Sequence, residues 1–123
     1  MNRRAVGSRY EEIACGYLVQ KGVRIIRRNF RCREGEVDIV CRDKKTLVFV
    51  EVKYRSGRRY GFAEEAVSYP KMRTICRVSD FYRIRFGFRE DTPIRYDVIA
   101  IESDPEGMEH IRWHKNAFSY IPR

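Results

Sequence analysis

Residues 47–55 read LVFVEVKYR. Leu47, Val48, Phe49 and Val50 predict a buried strand, and Glu51 and Lys53 then interrupt the apolar run. A charge among aliphatic side chains is costly unless it is paired or bound to a metal. Either the strand surfaces into water by Glu51, or the charges are the reason the strand is there. Side chains alternate along a strand, so Leu47, Phe49, Glu51 and Lys53 share one face. In the preceding segment EVDIV, Glu36, Asp38 and Val40 share a face likewise.

A hairpin whose last pair is Arg42 with Leu47, closed by a four-residue loop, gives partners whose numbers sum to 42 + 47 = 89. Val40 then meets Phe49, Asp38 meets Glu51, and Glu36 meets Lys53. Opposed residues lie roughly 5 Å apart at Cβ, on one side of the sheet. Two carboxylates so placed repel unless a proton or a cation sits between them. With Lys53 beside them, the pattern suits a hard divalent ion, Mg²⁺ or Mn²⁺, on oxygen ligands with room for water and phosphate.

Working outward, helical spacing from Val6 to Lys21 brings Ala14, Tyr17 and Leu18 onto one stripe, with Gly22 as the stop. Glu11 precedes Ala14 by three and Leu18 by seven, so it sits on the apolar face at the start of this helix. Glu12 points away into solvent. If that face packs on the side of the sheet bearing Asp38 and Glu51, Glu11 is a third acid at the same cation. The competing reading is plain: Glu51 and Lys53 form a cross-strand ion pair in water, and Glu11 pairs with one of the many arginines.

VRIIRRNF reads as a strand ending in the turn RCREG. Ser68 and Pro70 open a second helix whose stripe runs from Met72 to Phe86, and IRYDVIAIES and MEHIRWH are two further strands. The order is helix, three strands, helix, two strands. It predicts an α/β fold, a mixed central sheet of about five strands with helices packed on it, in a single domain over 1–123.

Lys plus Arg number 26 against 17 Asp plus Glu, a net charge of +9 in 123 residues, and charged residues make up 35%. That excess suits a polyanion: nucleic acid first, an anionic membrane surface second, with solubility alone as the bland alternative. The basic start MNRRAVGSRYEE lacks a signal-peptide apolar region, and no apolar run approaches the roughly 18 residues that span a bilayer. A cytoplasmic protein without membrane attachment is expected. Cys15, Cys32, Cys41 and Cys76 have no CxxC spacing and read as small core hydrophobes, and His110 and His114 lack the companions of a zinc site.

Asp38, twelve intervening residues, then Glu51-x-Lys53 on a strand resembles the PD-(D/E)xK nuclease signature. RRNFRCREGEVDIVCRD…LVFVEVKYRSG, then EAV…K and HKNAF, resembles the YraN family of small bacterial proteins from about Glu11 to Phe118, with EEIACGYL matching its first-helix motif. The resemblance implies a restriction-endonuclease-like fold similar to archaeal Holliday-junction resolvases. It also implies a metal-dependent nuclease site with Mg²⁺ or Mn²⁺ on Asp38, Glu51 and the carbonyl of Val52. Glu11 would be an outer or direct ligand, and Lys53 the lysine near the attacking water. Tyr10 departs from the glycine usual in that family and could alter access to Glu11. By analogy with the resolvases, a homodimer acting on branched DNA is expected.

Arg27, Arg28, Arg31 and Arg33, the loop residues Arg55, Arg58 and Arg59, and Lys71 are candidate contacts to the nucleic-acid backbone. The rival from another class is a module of the same fold that binds nucleic acid without cutting it. A protein-interaction adaptor is a third reading.

Overall fold

The computed structural model describes residues 3–56 and 67–123, with side chains described over 9–55 and 67–123. The elements are α1 (Arg3–Gln20), β1 (Arg24–Cys32), β2 (Gly35–Asp43), β3 (Thr46–Ser56), α2 (Tyr69–Arg85), β4 (Ile94–Ser103) and β5 (Glu109–Phe118). Their order is the expected one, and β1 runs two residues into the segment expected to turn. The strands form one sheet in the order β1-β2-β3-β4-β5. Only β3 and β4 run parallel. A parallel pair needs a long crossover, and α2 lies within it. The fold is α/β, a five-stranded mixed sheet with two helices.

The β2–β3 register is the predicted one, with five rungs from Asp43↔Thr46 to Ile39↔Val50 all summing to 89. The loop is shorter than expected. It is the two residues Lys44 and Lys45, with Lys44 in the left-handed region at φ 57°, as primed hairpin turns require.

The sheet separates two cores. Ala14 and Leu18 of α1 pack with Val48, Val50, Ile99 and Ile101 on one face. Ile75 and Tyr82 of α2 pack with Phe49, Tyr96 and Val98 on the other. This corrects the expectation for α1: it covers the face opposite Phe49 and Glu51. Leu47 to Val50 are apolar on both faces of β3, so alternation within that stretch could not assign the helix to a side. Cys15, Cys41 and Cys76 are buried and Cys32 is half-buried, in keeping with their reading as small hydrophobes.

Ser68 caps α2, its Oγ accepting from the Lys71 N–H at 3.3 Å, with Pro70 in the first turn. Such a cap contributes about 1 kcal/mol and sets where the helix begins. It thereby sets where Lys71 points.

Gly35, at the start of β2, has φ 142°, and a Cβ built there would lie 2.5 Å from Thr74 Cγ2 of α2. Strained backbone and backbone-to-helix contact both demand glycine. Gly35→Ala should therefore destabilise by about 2–3 kcal/mol, seen as a lowered Tm in thermal denaturation. Adding Thr74→Ser, which deletes the clashing methyl, should recover part of the loss and leave the part due to φ.

Candidate functional site

Beyond Ile39 strands β2 and β3 part. Val37 and Val40, three residues apart, both belong to the α2-side core, whereas Ile39 and Cys41 belong to the α1 side. A period of two cannot place Val37 and Val40 together, so β2 changes phase between them, at Asp38. On β1 the ladder pairs Arg28 with Ile39 and Phe30 with Val37, passing over Asn29 and Asp38. Asn29 is left-handed, φ 53°. The expected rungs Asp38–Glu51 and Glu36–Lys53 are absent from the ladder.

The Asp38 side chain takes the place of a rung. Its Oδ2 accepts the Val52 N–H at 2.8 Å, and Glu51 lies within hydrogen-bonding reach of the same carboxyl. The two acids thus meet as expected, through a side chain rather than through pairing. Glu36 is exposed and pairs with Arg31 at 3.0 Å, outside this group.

Glu51 is only 4% exposed. Burial, the hydrogen bond with Asp38 and the charge of Asp38 push its pKa up to about 8 against the opposing charges of Lys71 and Lys53. Lys71 Nζ stands 3.5 Å from Glu51 Oε2, yet that oxygen has no hydrogen-bond partner. Asp97 shows what a settled buried acid looks like. It accepts from Arg95 Nε and Nη2, from Trp113 Nε1 and from the Asn116 N–H, all at 2.9 Å. Asp97 is structural. Glu51 keeps an unfilled acceptor beside the Lys71 ammonium.

Glu11 reaches Asp38 from the α1 side. Burial and then the charge of Asp38 raise its pKa, while Arg28 and a hydrogen bond from Asn29 oppose the rise. Its Oε1 is buried with no hydrogen-bond partner. The acid is therefore near the site although its helix covers the other face of the sheet. Tyr10 does not crowd it: the ring is buried and stacked on Tyr54, centroids 3.9 Å apart.

Among the described residues, no three His, Cys, Asp or Glu side chains draw close enough to enclose a metal ion. The three acids form a pair, Asp38 and Glu51, with Glu11 standing off. The donor chemistry still fits a hard cation. Mg²⁺ commonly takes one or two carboxylates and keeps several waters, and the partnerless oxygens of Glu51 and Glu11 border the pair. A strand residue's N–H and C=O point to the same edge, so the Val52 carbonyl lies on the edge of its N–H, toward Asp38.

The arginines divide among separate duties. Arg27 Nε donates to Tyr82 Oη at 3.3 Å, and its guanidinium lies 4.2 Å from the Phe86 ring centroid. Arg28 faces Glu11, Arg31 holds Glu36, and Arg33 lies 3.9 Å from Glu34. Arg55 is half-buried near the end of β3. Arg58 and Arg59 lie outside the described residues. Lys71 Nζ stands at Glu51. Asn29 was not anticipated, although asparagine inside a strand pattern is itself a sign of irregular backbone. Among the described residues no helix is long and apolar enough to cross a membrane.

The model of the family described as "Uncharacterised protein family UPF0102" matches residues 10–101. The chain is similar to the UPF0102 protein STH1475 of Symbiobacterium thermophilum, 46% identical over 96% of this chain and 98% of that one. A UPF0102 protein of Lachnoclostridium phytofermentans is 43% identical over 96% of each chain. One of Nitrosococcus oceani is 37% identical over 91% of this chain and 90% of its own.

The raised pKa of Glu51 has a signed consequence. Between its ordinary value of 4.5 and about 8, the folded protein keeps a proton that the unfolded chain releases, so stability falls as pH rises through that window. Without divalent ions, Tm should drop from pH 5 to pH 8, and the drop should be smaller in Glu51→Gln. At pH 8 the variant should be the more stable protein. Adding Mn²⁺ should raise the wild-type Tm at pH 8 more than at pH 5, and should leave Glu51→Gln unmoved.

Proposed function

The chain belongs to the UPF0102 family, and from that premise together with the Asp38–Glu51 pair we propose that it is a metal-dependent nuclease. The reading carries with it a restriction-endonuclease-like fold, similar to that of archaeal Holliday-junction resolvases, and nucleic acid, DNA above all, as substrate. UPF0102 membership agrees with the likeness to the YraN family read from the sequence. One observation carries the proposal: two carboxyls from adjacent strands meet where pairing stops, one of them buried and incompletely partnered, with Lys53 and Lys71 beside it. Binding phosphate alone calls for cations and has no use for this pair.

Asp38, Glu51 and the Val52 carbonyl would hold Mg²⁺ or Mn²⁺. When bound, such an ion supplies a water of lowered pKa and offsets charge on the phosphate. Lys53, one strand position beyond Val52, orients the attacking water or stabilises the charge that builds as the P–O bond breaks. Lys71 neutralises Glu51 before substrate arrives and is near enough to pass to a phosphate oxygen afterwards. Glu11, steadied by Arg28 and Asn29, sits behind Asp38. It tunes or joins the cation site from there.

A second reading, a module that binds nucleic acid without cutting it, draws on the lack of three converging ligands among the described residues. A nicking assay on plasmid and on branched DNA with Mg²⁺ or Mn²⁺ separates the two. Wild type should cleave, and Asp38→Ala and Lys53→Ala should each lose at least about 100-fold, or ~2.7 kcal/mol of barrier. Equal cleavage by Asp38→Ala would mark a contaminant and end the nuclease reading. Binding without any cleavage would favour the silent module.

A further inference from the structure

A groove runs along the outer side of α2, on a part of the molecule the acidic pair does not use. Its first section is a cleft of about 560 Å³ lined by Arg73, Arg77 and Arg123 together with Glu34, Thr74 and Tyr69. Its second, about 240 Å³, shares Arg77, Arg123 and Glu34 and adds Arg33, Arg85 and Phe81. Across both sections five arginines face two carboxylates, Glu34 and Asp80. Glu34 is loosely matched, its Oε1 3.9 Å from Arg123 Nη2 and 3.9 Å from Arg33 Nε, while Asp80 Oδ2 accepts from Tyr120 Oη at 2.9 Å.

Arg77, at the centre, is 8% exposed. Its Nη2 donates to the Ile121 carbonyl, and Tyr120 lies against the guanidinium at 5.3 Å. Its Nε and Nη1 have no hydrogen-bond partner, and the Asp80 carboxylate stands 3.7 Å from Nη1. A buried guanidinium with idle donors is costly and is relieved by an anion. The apolar lining completes the chemistry. Tyr69 is 63% exposed and Ile84 70% exposed at the two ends of α2, with Phe81 between them. Tyr69 is an exposed ring and Phe81 a half-buried one, and flat side chains bordering a cationic track are what unpaired bases stack upon.

We propose that this groove seats a single strand of nucleic acid, with phosphates on Arg73, Arg85 and Arg123 and bases against Tyr69 and Phe81. It deepens the nuclease reading and rests on it for direction: the first turn of α2, which lines one end of the groove, also carries Lys71 at Glu51. A strand lying there runs toward the acidic pair. The 17 residues of α2 span about 25 Å, room for a few nucleotides of one strand. Arg77 does not meet the strand alone; it holds the C-terminal segment as the wall of the groove and lends its charge.

The test is binding of a fluorescein-labelled 20-nucleotide single strand in EDTA, across a salt series, with no cleavage required. Wild type should bind it more tightly than the matching duplex. Arg73→Gln/Arg85→Gln/Arg123→Gln alters three exposed residues and should keep the wild-type Tm. It should lose at least tenfold in affinity and flatten the log–log salt slope by about 2, at roughly 0.7 per contact for single strands. A triple variant with unchanged affinity and slope would overturn the groove and leave the nuclease reading standing. Preference for duplex would overturn the single-strand assignment. Equal cleavage by Asp38→Ala, with groove binding intact, would instead overturn the nuclease reading alone.

Discussion

The hydrogen bond from the Val52 N–H to Asp38 Oδ2 is where the architecture and the chemistry of this protein join. Up to Ile39↔Val50 the two strands satisfy each other through backbone rungs. Past that point an unpaired buried amide would be expensive, and a side-chain carboxylate accepts its hydrogen. The exchange opens a fork in the sheet without leaving a donor unmet. It also fixes the carboxyl beside Glu51, inside a wall of aliphatic residues, where charge interactions act through a lower dielectric than water. The left-handed Asn29 lies across from Asp38, at the step where the β1–β2 ladder skips.

Such a fork is a liability to folding and an asset to chemistry. Glu51 is kept out of water, close to another acid and short of donors, whereas Asp97, opposite Val50 on the neighbouring strand β4, is fully served. The same chain thus shows both treatments of a buried carboxylate. Strained or unsatisfied groups concentrate where function needs them, and stability is made up elsewhere. Here the compensation comes from two separate cores, one on each face of the sheet.

Much of this was legible in the amino acids. The rungs Arg42–Leu47 and Val40–Phe49 could be read because the apolar side chains there leave only one register that buries them all, whereas those expected at Asp38 and Glu36 do not form. Ser68 and Pro70 marked the start of α2 through local cap chemistry, which needs no tertiary context. What stayed hidden were features decided by third parties. Leu47 to Val50 of β3 are apolar on both sides, so nothing in that stretch told α1 which face to cover. The change of phase at Asp38 falls opposite the left-handed Asn29, 9 residues away in sequence. That Arg27 and Arg31 also engage aromatic rings and a glutamate brought up by the fold was hidden as well. The α2 groove was equally out of sight, since Arg33, Arg73, Arg85 and Arg123 meet only when the turn after β1, the helix and the C-terminal segment come together.

Being outermost in the sheet gives β1 one more property. Strand margins with free amides invite neighbouring molecules to add on and grow into aggregates. Arg24, Arg27, Arg28 and Arg31 stand exposed along this one. A β-bulge between Ile25 and Arg27 and the left-handed Asn29 break its flatness. Two copies meeting there would press like charges together across a kinked border. The arginine richness of RIIRRNFRC thus also serves as a guard against self-templating, whatever else the individual side chains touch.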